Sequence, residues 1–167
     1  MPESTSTEVR HPGDLDELLS LIQKVTVSIF GKSATTLDEV ASESAELGAL
    51  SLGCEDGEIR VSSAVAFHSE LLGIRVALIQ RSADAVLRSD VSVEYHWREA
   101  LTADEALLRQ LVLTDGIPRA VASAAAILAD AAAGIGEKAA LPILVIQDAL
   151  LKQFRDRQIP IQITSES

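Results

Sequence analysis

The chain has 167 residues, 47% of them apolar, with 14 Lys and Arg against 25 Asp and Glu and a formal net charge of −11. That length suits one domain, that apolar content argues against a disordered chain, and that acidity argues against binding to a phosphate backbone. A single Cys excludes an intrachain disulfide framework or a Cys-rich zinc site, and three His without HExxH spacing argue against a metal enzyme.

No apolar run approaches the roughly 18 residues that span a bilayer, so no membrane insertion is expected. The start Met1-Pro2-Glu3-Ser4 has neither the basic nor the apolar region of a secretory signal, and a cytoplasmic protein is expected. Only five residues are aromatic, so the core is built from Leu, Ile, Val and Ala. Small side chains bury little area each, at about 25 cal/mol per Å². Such a chain gains burial by associating with its own copies, and a homo-oligomer is expected.

In chain order, residues 1–12 read as a polar tail and 13–158 as one domain. Asp14 caps a short helix from Leu15 to about Leu21, with Asp16 and Glu17 in its positive first turn. Val25 to Phe30 alternates and is β-branched, which reads as a strand; Leu18 to Phe30 as mostly strand is the alternative. Residues 33–59 hold seven acidic side chains and no Lys or Arg, and the first 60 residues hold 12 acidic and four basic ones. This acidic stretch, with Asp38, Glu39, Glu43 and Glu46, is either a solvated helix and turn or a docking surface for a basic partner.

Glu55-Asp56-Gly57 signals a turn between strand-like runs at 47–52 and 58–68. Ile74 to Gln80 fits strand or helix. Asp90 to Arg98 is the clearest strand: Val91, Val93, Tyr95 and Trp97 alternate with Asp90, Ser92, Glu94, His96 and Arg98. Thr102-x-x-Glu105 reads as a capping box opening a helix to about Leu113, which Thr114-Asp115-Gly116 breaks. Pro118 opens the next helix, and nine Ala fall within Ala120–Ala133. Gly134 or Gly136 ends it, Leu141 to Val145 is an extended connector, and a last helix runs from Gln147 or Asp148 to about Arg157. Residues 159–167 read as a tail. Strands first and helices after argue for an α+β fold, an antiparallel sheet of about four strands with helices on one side.

Catalytic motifs are absent: there is no G-x-S-x-G, Walker A or dinucleotide fingerprint. Gly134-Ile135-Gly136-Glu137-Lys138 follows a helix rather than a strand, so it reads as a cap and turn, not a phosphate loop. Cys54 has acidic neighbours, which disfavour a reactive thiolate. His96 and Glu94 share a polar strand face and read as a solvated pair, and His68 stands in another strand. No enzyme, cofactor or metal is expected. Tyr95 and Trp97 share a face and are either core beneath the helices or an aromatic patch lining a groove for an apolar peptide. The Ala-rich helix is likewise either internal or half of a subunit interface.

From Val86 onward the order of elements resembles the SecB family of export chaperones and its SecB-like relatives. The resemblance is carried by the strand Val91–Trp97, the acidic helix 102–113, Ile117-Pro118 opening a long helix, the connector Leu141-Pro142-Ile143-Leu144 and the final short helix. It implies a SecB-like fold, a tetramer built as a dimer of dimers with the long helices between subunits, and no nucleotide. It implies unfolded polypeptide clients held in an apolar groove, for which Phe67, Tyr95, Trp97, Leu141 and Ile143 are the candidates. It also implies a partner, an export motor ATPase or an antitoxin. Asp38, Glu39, Glu43, Glu46 and Glu94 are the candidates for docking it. An oligomeric structural or assembly protein without client binding is the alternative.

Overall fold

The computed structural model describes residues 9–36, 50–54, 57–82, 84–139 and 141–164. After helix α1 (Leu15–Ser20) come β1 (Ile22–Thr36), β2 (Leu50–Cys54), β3 (Gly57–His68), β4 (Leu71–Ser82) and β5 (Ala85–Trp97). Helix α2 (Glu105–Leu111) runs through a π-turn (Val112–Gly116) into α3 (Ile117–Gly134); α4 (Ile143–Arg155) and β6 (Ile161–Ile163) close the chain. The strands form one six-stranded sheet in the order β1-β5-β4-β3-β2, antiparallel throughout except that β6 pairs parallel with β3. The α+β reading holds, with more strands than the four expected. One extra strand, β6, lies in the stretch read as a tail, where Pro160 and a length of three residues hide it from pattern reading.

Alternation divides the sheet into two faces. Val61 and Val65 of β3, Ile74 and Val76 of β4, and Val91 and Val93 of β5 point toward the helices and are buried. Helix α3 lies against β5, β4 and β1. Its Ala120 and Ala124 are fully buried, and the Ser89 hydroxyl donates to the Ala124 carbonyl at 2.8 Å. Small residues on both sides let helix and sheet backbones approach closely. Ala122, Ala126, Ala129 and Ala133 are exposed on the outer side, so the Ala-rich helix is internal on one face and free on the other.

The expected break at Thr114–Gly116 is not a break. The helix runs without interruption from Glu105 to Gly134, 30 residues. Gly116 is there for close approach: a Cβ would stand 3.0 Å from Ile74 Cδ1. The wide π-turn makes room for the Pro118 ring, which would otherwise strike the preceding turn. With a mean hydropathy of 1.5 this helix is long and apolar enough to cross a membrane by length and composition alone. Half of its apolar window is buried within the domain, as in a core helix.

The caps differ in detail. Asp14 caps α1 as expected, accepting from Glu17 N at 2.8 Å. Asp104, not Thr102, caps α2, its carboxylate accepting from Ala106 N at 3.0 Å. Gly136 (φ +74) closes α3 in a Schellman arrangement, with Glu137 N on Ala132 O and Gly136 N on Ala133 O. The connector is shorter than expected, because α4 begins at Ile143 immediately after Pro142. Arg10, inside the stretch read as a tail, bridges to Leu101, with Thr102 N on Arg10 O at 2.9 Å.

Gly57 opens β3 at φ +151, and a Cβ there would lie 1.9 Å from the Arg81 carbonyl oxygen. Because the obstacle is backbone, Gly57→Ala is expected to cost at least about 1–3 kcal/mol in urea unfolding. An unchanged midpoint would contradict this register.

Candidate functional site

The three aromatic candidates are core. Phe67, Tyr95 and Trp97 are 5%, 1% and 4% exposed. Trp97 Nε1 donates to the Leu18 carbonyl at 3.2 Å, and its ring meets that of Phe67 edge-on at a centroid distance of 6.0 Å. These rings do not line an open groove, because strand alternation turns them toward α1 and the helix layer. The Tyr95 hydroxyl donates to the Asp115 carboxylate, which the π-turn brings over the sheet and which Arg119 grips with contacts of 2.9 and 3.1 Å.

The Arg119 hydrogen bonds, and behind them the Tyr95 hydroxyl, hold the Asp115 carboxyl below its ordinary range despite its partial burial. Burial first and Asp115 second push the Tyr95 hydroxyl well up. A depressed folded pKa gives stability that is complete above the unfolded value of about 3.9 and lost as pH falls through the folded one. Asp115→Asn is therefore expected to cost about 1 kcal/mol near neutrality, discounted for exposure, and progressively less toward pH 2. Parallel stability–pH curves for the two proteins would contradict this.

The other two candidates stand at the surface. Leu141 and Ile143, with Ala139, line an open groove of about 280 Å³ against the outer side of α3 (Ala122, Ala125, Ala126, Ala129). The first turn of α4 continues this apolar surface, with Leu144 and Val145 exposed and no side-chain cap at Pro142. The groove thus has hydrocarbon walls and no charged side chain among its lining residues.

A second apolar surface went unread in the sequence. Among the described residues, β1 is an edge strand of 15 residues that pairs with β5 on one side only. Its Val25, Val27 and Ile29 lie opposite Tyr95, Val93 and Val91, on the helix side of the sheet, yet are 38–55% exposed. Phe30 points to the other face, where the Arg75 guanidinium stacks on its ring at 4.4 Å, and a bulge between Ile29 and Gly31 then shifts the register. Natural edge strands are usually short or blunted by charge, and this one is long and apolar along its middle.

No protein-family model, curated protein or solved structure matches this chain.

The face away from the helices is polar. Thr26 Oγ1 lies 3.0 Å from His96 Nε2 and 3.3 Å from Glu94 Oε2, and Arg75 makes a two-pronged pair with Asp90 at 2.7–2.8 Å. Lys24, Arg60, Arg75, Arg81 and Arg88 share this face with Glu58, Asp90 and Glu94. Glu94 therefore stands among more cations than carboxylates. Asp38, Glu39, Glu43 and Glu46 lie outside the described residues. Among the described residues, no three His, Cys, Asp or Glu side chains are grouped as metal ligands. His68 lies at the end of β3, opposite Leu71.

Proposed function

We propose that the chain is a non-enzymatic, SecB-like chaperone that holds unfolded polypeptides on its apolar surface and works as a homo-oligomer in the cytoplasm. The observation that carries this reading is the groove beside α3. Its apolar walls offer no polar anchor that would select one small molecule, so recognition there rests on burial of hydrocarbon and tolerates many sequences. The β1 edge supplies a surface through which copies would meet, leaving the free alanine side of α3 to the client groove. An export motor or an antitoxin is the partner class the resemblance suggests, with Glu94 and the acidic stretch 38–46 as its docking candidates.

The test is suppression of aggregation. A near-stoichiometric amount of the protein is expected to keep a denatured client in solution without nucleotide. The variant Ala126→Glu/Ile143→Glu, at two exposed positions, is expected to bind the client at least about tenfold more weakly while its stability changes by about 0.5 kcal/mol or less. Equal affinity would remove the groove from the account. The same free alanine face favours a second reading, a structural or assembly protein whose own copies fill the groove. That reading predicts an oligomer with no affinity for unfolded chains.

A further inference from the structure

The two edges of the sheet are treated differently. Among the described residues β1 has no partner on its outer side, whereas the outer edge of β3 is shared: β2 covers Gly57–Val61, and β6 covers Val65–Phe67. β6 is the odd strand. It is three residues long and, among the described residues, the only parallel member of the sheet, paired as Val65↔Ile161, Ala66↔Gln162 and Phe67↔Ile163 and closed by Thr164 N on Phe67 O at 3.0 Å. Parallel pairing is slightly weaker per residue than antiparallel pairing. Ile161 is half-buried, and Gln162 and Ile163 are exposed, so little core holds the strand down; the buried residue of the segment is Ile159, before it. The approach from α4 passes through Arg157 at φ +58, a conformation disfavoured for a residue with a Cβ. Beside β6 in the sheet, by contrast, stand firm core residues, Val65 and Phe67, with Trp97 against Phe67.

We propose that β6 is a displaceable internal ligand, and that the β3 edge over Val65–Phe67 is a strand-addition site for an extended segment of an unfolded polypeptide. This rests on the chaperone reading and adds a main-chain site to the apolar groove. The occupant's chemistry is read from the one already seated: an extended segment with aliphatic side chains at alternate positions, as Ile161 and Ile163 are, and any residue between them. Main-chain hydrogen bonds supply affinity whatever the sequence, and the alternate side chains rest over Val65 and Phe67. In the resting chain β6 covers this edge and so protects it from casual pairing.

The test locks β6 in place in the full-length chain. Ala66 and Gln162 are directly opposed, and neighbouring strands lie about 4.8 Å apart, within the range a disulfide spans. Both side chains point away from the core, so Ala66→Cys/Gln162→Cys leaves packing undisturbed, and Cys54→Ser removes the one native thiol. The probe is reduced, carboxymethylated, fluorescein-labelled lactalbumin. The reduced variant is expected to bind it as the unmodified chain does, and the oxidised variant at least tenfold more weakly. If the oxidised and reduced forms bind equally well, the displacement proposal is overturned and the chaperone reading stands. If neither the variant nor the unmodified chain binds, the chaperone reading fails and takes this proposal with it. Amide exchange on the unmodified chain gives a readout independent of the variant. Saturating probe is expected to deprotect Gln162 and Thr164, whose amides face β3, while Val65 and Phe67 stay protected; continued protection of Gln162 and Thr164 would overturn the proposal.

Discussion

Replacing Val27 and Ile29 together by lysine is expected to convert an oligomer of this chain into a monomer. Both side chains are about half exposed on an edge strand, so neither change opens a cavity. Surface substitutions of this kind cost about 0.5 kcal/mol each, with up to about 1 kcal/mol for lost strand preference. Their effect on association is larger. Completing the burial of each aliphatic side chain stabilises a dimer by roughly 1 kcal/mol, and both copies contribute. Lysine reverses that gain and brings like charges together in any contact between copies at this edge; inward-pointing lysine is also how natural sheets blunt their edges. Light scattering is the measurement. An unmodified chain that is already monomeric at tens of micromolar would contradict the assignment of β1 to self-association.

The largest loss of stability is expected at Trp97. Trp97→Ser removes the only indole of the chain, which is 4% exposed, packs edge-on against Phe67 and donates to the Leu18 carbonyl. It leaves a cavity beneath α1 and a buried carbonyl without its partner. The expected cost is about 3–5 kcal/mol in urea unfolding, a large part of the total stability of an ordinary domain. Client affinity of the folded fraction is expected to stay within about twofold, since the ring is not at the surface and a factor of two is well under 1 kcal/mol. A small stability loss with a large affinity loss would instead place Trp97 at an open binding surface.

Strict alternation made β5 legible in the sequence, and the Asp14 cap made α1 legible. Both depend on local chemistry. The length of β1 was not legible, because the bulge after Ile29 shifts the alternation by one residue and Gly31 reads as a breaker. The continuous helix was missed for a similar reason: Gly116 and Pro118 are helix breakers by local preference, yet Gly116 is required by the approach of Ile74 and the π-turn accommodates Pro118. Leu141 and Ile143, proposed from the order of elements, line the groove beside α3. That Tyr95 and Trp97 are core rather than groove depends on which face α3 covers, which alternation alone does not tell. The exposed middle of β1 had a signal, Val25, Val27 and Ile29 at every second position, but nothing local says that α3 stops short of them.

The central claim is that this surface holds unfolded chains without chemistry. Titrating the full-length protein into labelled, permanently unfolded lactalbumin, without nucleotide, tests it directly. The account predicts saturable binding at near-equal amounts that the folded form of the same probe does not compete for. An isotherm that stays flat, or one that the folded probe reproduces, would contradict it.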